Sequence, residues 1–183
     1  MTDQITPKDV LDFWLVETEP QKWFVKDTAF DLEIARRFGS TVEAALAGRL
    51  EGWSAESAGC LALILVLDQF TRNIFRDTPR AFAGDKTALE LSQTCIARGY
   101  IANDDPNWRH FMLMPMMHSE DIAIQEASLP LFKEFASENT YEYAVKHRDI
   151  IAKFGRFAHR NAILGRISTP EEVVFLTQPG SSF

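Results

Sequence analysis

A stretch without one polar side chain, Ala58 to Leu67 (AGCLALILVL), constrains the fold more than any other feature of the chain. Such a run has no face to offer water, so it belongs inside the molecule with other elements wrapped around it. Its length alone would suit a buried strand or a buried helix. It holds few β-branched residues and its flanks carry helical periodicity, so the sequence predicts a central helix that is apolar on all sides. The run is also much shorter than the roughly 20 apolar residues needed to cross a bilayer, and no membrane span is expected.

Charge begins as soon as the run ends. Leu61, Ile64, Leu65, Asp68, Arg72 and Phe75 share one helical face by spacings of three, four and seven. Asp68 is therefore expected in an apolar setting, where an unpaired carboxylate is costly. Arg72, one turn further on, is placed to pair with it.

The remaining chain has the material to surround that helix. With 183 residues and 46% apolar content, including 14 Phe and 4 Trp, one domain over 1–183 is expected, ending in a polar tail at 178–183. No stretch alternates strictly enough to demand a strand. The periodicity predicts an all-α fold with helices near 7–17, 28–48, 55–73 (opened by Ser54), 79–98 (ended by Gly99), 107–114, 119–137, 141–154 and 170–177. Thr-Pro pairs at Thr6, Thr78 and Thr169 read as helix starts, with Thr as cap and Pro at the first position. Asp9 and Glu172 stand at capping-box spacing after the first and last of these. Pro115 reads as a break. The Met-rich MLMPMM and the tryptophans read as packing residues. No tetratricopeptide-type repeat is visible in the spelling.

The formal charge of −7 and the lack of a Lys/Arg run argue against nucleic acid as a partner. MTDQITPKDV has no basic segment leading into an apolar one, so a cytoplasmic location is expected. Cys60 and Cys95, 35 residues apart, read as two buried thiols acting as small hydrophobes rather than a redox pair or metal knuckle. No motif names a cofactor, and no oligomeric state follows.

The informative residues are polar ones on faces that should be apolar. Asp85 shares a stripe with Phe82, Leu89, Ser92 and Ile96, near a helix start where negative charge is stabilised. His118 shares a face with Asp121, Ile122, Gln125, Leu129 and Phe132, next to Ser119 and Glu120; a His with an acid nearby suits proton transfer or, less well here, metal binding. His147 heads the apolar face of Ile150, Ile151, Phe154 and Ala158. Arg156, His159, Arg160 and Asn161 follow within a few residues, a density of donors that suits a carboxylate or phosphate, or pairing with the inward acids. Two Arg-Asn segments, RNIFRDTP (Arg72 to Pro79, with Asn73 and Arg76) and RNAILGRISTP (Arg160 to Pro170), each lead to a Thr-Pro start. They are expected to lie together and give Arg72, Asn73, Arg160 and Asn161 to one polar centre.

The fragments VLDFW, WFVKD, LDQFTRNIFRDTPRAFAGD, FMLMPMMHSED and IIAKFGRFAHRNAILGRISTPEEVVFL resemble the bacterial domain-of-unknown-function family numbered 924, from about Val10 to Leu176. The resemblance implies antiparallel helix pairs in a tetratricopeptide-like right-handed array. It implies no activity. Thr71 and Ala158 stand where the family commonly has Pro, and neither change removes a charge. The family's characteristic positions include those that periodicity singles out, together with Gln69, Ser119 and Gln125.

Two readings of function follow. In the first, a small anionic ligand sits between helices three, four, six and seven. Arg72, Arg156 and Arg160 hold it, Asn73, Arg76, Asp85, Glu120, His159 and Asn161 complete the site, and His118 or His147, oriented by Asp121 or Asp68, is the general acid or base if there is catalysis. In the second, the array binds a protein or peptide and the buried charges only set helix register. A metal-dependent hydrolase using His118, Glu120, Asp121 and His147 is a weaker third, and no metal ligand set is assigned.

Overall fold

The computed structural model describes residues 5–182. Phe183 of the polar tail and the first four residues lie outside the described residues. Among the described residues the fold is all-α with eight helices and no strand. Helix α1 is Pro7–Leu11 continued by a π-helical turn, Asp12–Glu17. Helix α2 is Thr28–Leu46. Helix α3 comprises Ser57–Ile64, a π-helical turn Leu65–Phe70 and a last turn Thr71–Ile74. Then follow α4 (Asp85–Ala97), α5 (Pro106–Met117), α6 (Ile122–Phe135), α7 (Glu138–Phe154) and α8 (Pro170–Leu176).

The helix ends show which start signals work. Thr6 and Thr169 each form a full capping box, with Asp9 and Glu172 reaching back to the cap backbone. Thr78 does not cap: its hydroxyl donates to the carbonyl of Phe75 at 2.7 Å. Pro79–Phe82 is only a 3-10 turn, and α4 begins later than expected, at Asp85. Ser54 likewise donates to the Glu51 carbonyl within a 3-10 turn instead of opening the helix, so α3 starts at Ser57 rather than near residue 55. Pro115 does not break α5. It sits in the last turn, where the backbone N–H it lacks costs one bond near the helix end, and its buried neighbours Met114, Met116 and Met117 hold it in place.

Helix α3 is central. Every residue from Cys60 to Phe70 is buried, and the helix packs against α1, α2, α4 and α5. A wider order runs through the packing: α1 touches α3, α3 touches α5 and α5 touches α7, while α2, α4 and α6 lie against their neighbours in sequence. Helices α3 and α4 run antiparallel, because Arg72 near the end of α3 meets Asp85 at the start of α4, while Cys60 near the start of α3 meets Cys95 near the end of α4. Aromatic rings fill the space between α1, α2, α3 and α5. Phe13, Phe38 and Phe70 meet pairwise with centroids 5.0 to 6.0 Å apart, and Trp14 lies 5.8 Å from Phe111. Trp23 satisfies its indole N–H on the carbonyl of Trp14. A smaller cluster of Ile150, Ile151 and Phe157, backed by Phe154 and Phe175, joins α7 to α8.

The two kinds of Thr-Pro start should separate in stability. Thr169→Ala removes a cap and uncouples Glu172, and should cost at least about 1 kcal/mol; Thr78→Ala should cost less than about half as much. Urea denaturation of the two variants measures the difference.

Candidate functional site

The site grows out of the π-helical turn of α3. An i to i+5 pattern frees carbonyls that an α-helix would use, and such turns often mark functional positions. Two carbonyls of this turn accept from side chains that follow it: Thr71 Oγ1 donates to Leu67 O and Arg72 Nη1 to Asp68 O, both at 2.7 Å. The backbone of Gly84 also lies against the Leu67 carbonyl, and a Cβ there would fall 2.2 Å from that oxygen. Only glycine permits this approach, and it delivers the next residue, Asp85, to the end of α3.

Asp68 is fully buried and has three partners. His118 Nδ1 lies 2.7 Å and Arg72 Nη1 3.1 Å from its Oδ1, and the Gln69 amide donates to Oδ2. Burial opposes the charge on Asp68, but Arg72 and His118 outweigh it, and the carboxyl stays below the ordinary carboxylate range. An ionised Asp68 only accepts, so the proton of His118 is on Nδ1 and the Nε2 lone pair points away from the carboxylate. His118 is the C-cap residue of α5, and burial holds its pKa below the ordinary histidine value against the pull of Asp68. It is neutral at pH 7.

Asp85 links the rest. It takes a bidentate pair from Arg72, at 2.8 and 3.1 Å, and a longer contact from Arg160 Nη1, at 3.4 Å. Arg160 is 6% exposed and lies between the rings of Phe82 and Phe157, at 4.7 and 4.6 Å. Its Nη2 donates to the His118 carbonyl at 3.1 Å, and its Nε is buried and meets no acceptor among the described residues. Burial, and then the like charge of Arg72, lower its pKa to about 10. His147, from α7, places its ring 6.4 Å from that of His118 and gives its Nδ1 proton to the Tyr143 carbonyl. Burial lowers His147 to about 3, and burial followed by Arg160 lowers His159 to about 4.

Asp68, Arg72, Asp85, His118, His147 and Arg160 thus come together, with His159 alongside through Phe157. The two Arg-Asn segments meet through their arginines at Asp85. Their asparagines part: Asn73, with Arg76, binds Asp31 of α2, while Asn161 binds Glu172 and Ser168. Arg156 pairs with Glu172, a buried acid pulled down to about 2 by that hydrogen bond. Glu120 pairs with Arg166 and accepts from the Phe157 amide, so it braces the loop that carries Arg160. Asp121 is exposed and caps α6, away from the centre. Asp31, Phe82, Gly84, Phe157 and Arg166 are not legible as site residues. Phe82 and Gly84 carry a signal, the first sharing the stripe of Asp85 and the second standing directly before that inward acid.

Surface depressions lie along Leu11, Leu15 and Trp108 and along Lys153, Pro170 and Val174, and neither borders this centre. Among the described residues no three His, Cys, Asp or Glu side chains are grouped to hold a metal ion, and no helix is long and apolar enough to cross a membrane.

The structure defines an all-helical protein with a buried arginine, carboxylate and imidazole centre. Residues 10–180 match the family described as bacterial protein of unknown function, DUF924, and the chain belongs to that family. It is similar to a protein of unknown function, ATU0120, from Agrobacterium tumefaciens, whose solved structure superposes with a TM-score of 0.88 at 40% identity, covering 93% of this chain and 96% of that one. No curated protein matches the chain.

The buried neutral histidines carry a pH signature. Histidine titrates near 6.5 when unfolded, and His147 and His159 well below that here, so between those values the unfolded chain binds more protons and stability falls as pH drops. His147→Gln should remove roughly 1 kcal/mol of the loss seen in wild type between pH 7.5 and pH 5.5. Urea midpoints at the two pH values give the comparison.

Proposed function

We propose that the centre binds a small anionic molecule at Arg160, and that His118 is the group able to exchange a proton with it. The observation that carries this is the state of Arg160, a buried guanidinium whose nearest carboxylate oxygen is 3.4 Å away and whose Nε has no acceptor among the described residues. Asp85 is already held bidentately by Arg72, so it leaves much of the Arg160 cation unanswered. An entering carboxylate or phosphate would supply the missing acceptors in the geometry a guanidinium prefers. His118, neutral and fixed in one tautomer by Asp68, offers Nε2 as a proton acceptor, with His147 behind it.

A second reading is supported by the packing. The row α1, α3, α5, α7 with intervening helices alongside resembles the two-layer order of tetratricopeptide-like arrays, which commonly bind peptides. In that reading the charges pin the row, and the partner binds elsewhere. The acidic composition and two free thiols fit a cytoplasmic protein under either reading.

Thermal denaturation in phosphate or succinate, against chloride at matched ionic strength, separates the two. The anion-site reading predicts a rise of roughly 3 °C for wild type, lost in Arg160→Gln and kept in Arg156→Gln. No rise with either anion, or a rise that persists in Arg160→Gln, would favour the structural network.

A further inference from the structure

We infer that Cys60 and Cys95 form a peroxide-sensitive dithiol that closes to an intramolecular disulfide between α3 and α4. Although 35 residues apart in sequence, they meet in the interior, with the Cys95 thiol donating to Cys60 Sγ at 2.8 Å and both side chains fully buried. The sulfurs are less than about 1 Å from bonding distance, on two helices already fixed against each other at the far end by Arg72 and Asp85. Cys60 is the better nucleophile of the two. The hydrogen bond from Cys95 lowers its pKa against the effect of burial, and nearby Arg98 acts in the same direction, whereas donating that bond, and then burial, hold Cys95 raised.

Burial selects the oxidant. A bulky disulfide such as oxidised glutathione does not fit beside the pair, while hydrogen peroxide is about the size of water. Peroxide would enter as the last turn of α4 opens, because Cys95 lies close to the helix end at Ala97 and helix ends open before helix centres. The Cys60 thiolate attacks one peroxide oxygen, the O–O bond breaks, and the departing hydroxide takes the thiol's proton to leave as water. The resulting Cys60 sulfenic acid is attacked by Cys95; the S–O bond breaks, and the hydroxyl leaves with the Cys95 proton as a second water. Two thiols and one peroxide thus give one disulfide and two waters. The crosslink would hold together the two helices that carry Asp68, Arg72 and Asp85.

The folded protein is treated with hydrogen peroxide, quenched, denatured and labelled with a maleimide, and intact mass is recorded. The expected result is loss of both thiols together, a mass lower by two hydrogens, no dimer on a non-reducing gel, and full recovery with dithiothreitol. In Cys95→Ser, Cys60 should instead be trapped as its sulfenic acid by dimedone, and in Cys60→Ser the remaining thiol should survive the same treatment. Retention of both thiols in wild type, oxygen addition without loss of two hydrogens, or disulfides found only between molecules would each overturn the inference. Should either variant fail to fold, the wild-type mass and thiol loss decide it alone.

Discussion

One guanidinium, that of Arg72, lies between two carboxylates that belong to different helices. On one side is Asp68, in the π-helical turn of its own helix; on the other is Asp85, at the first position of the next. Either acid alone would be a costly thing to bury, and the arginine would be as costly without them. Joined, they fix where α4 begins relative to where α3 ends. The remaining polar centre is arranged around that junction: His118 on the free side of Asp68, Arg160 on the free side of Asp85, and Phe82 under both arginines.

Such a junction is a poor way to gain stability, since well-packed apolar side chains of the same volume hold helices together at least as well. Its features are better explained by what it leaves unsatisfied. Asp68 is answered three times over and Arg72 by two carboxylates and a carbonyl, but among the described residues Arg160 receives only the remainder of Asp85 and one backbone carbonyl. The imbalance falls on the one arginine that comes from outside the α3 and α4 pair, on a loop braced by Glu120 and Arg166. A cation held short of acceptors beside an imidazole of fixed tautomer is what supports the proposed anion site over a centre made only to set register.

Much of this was legible in the sequence because it rests on local spacing. The unbroken apolar run specified the central helix, the four-residue step from Asp68 to Arg72 specified their pairing, and the threonine boxes at Thr6 and Thr169 specified two helix starts. What was not legible depends on which distant segments meet. Thr78 has the spelling of a cap, yet its hydroxyl turns back to Phe75. Asn73 and Asn161 follow their arginines in sequence, but they answer different acids, Asp31 and Glu172, whose inward placement no local period reveals. Cys60 and Cys95 carried no spacing signal because their meeting is a product of antiparallel helix packing. Pro115 has the usual spelling of a helix break, and its place in the last turn among buried methionines suspends that effect.

If Arg72 is held jointly by the two helices through Asp85, a double-mutant cycle in urea with Arg72→Met and Asp85→Asn will show it. Arg72→Met alone should cost roughly 3–5 kcal/mol, and the double variant should be less destabilised than the sum of the singles by at least about 2 kcal/mol. Additive effects, with a coupling below about 0.5 kcal/mol, would contradict it.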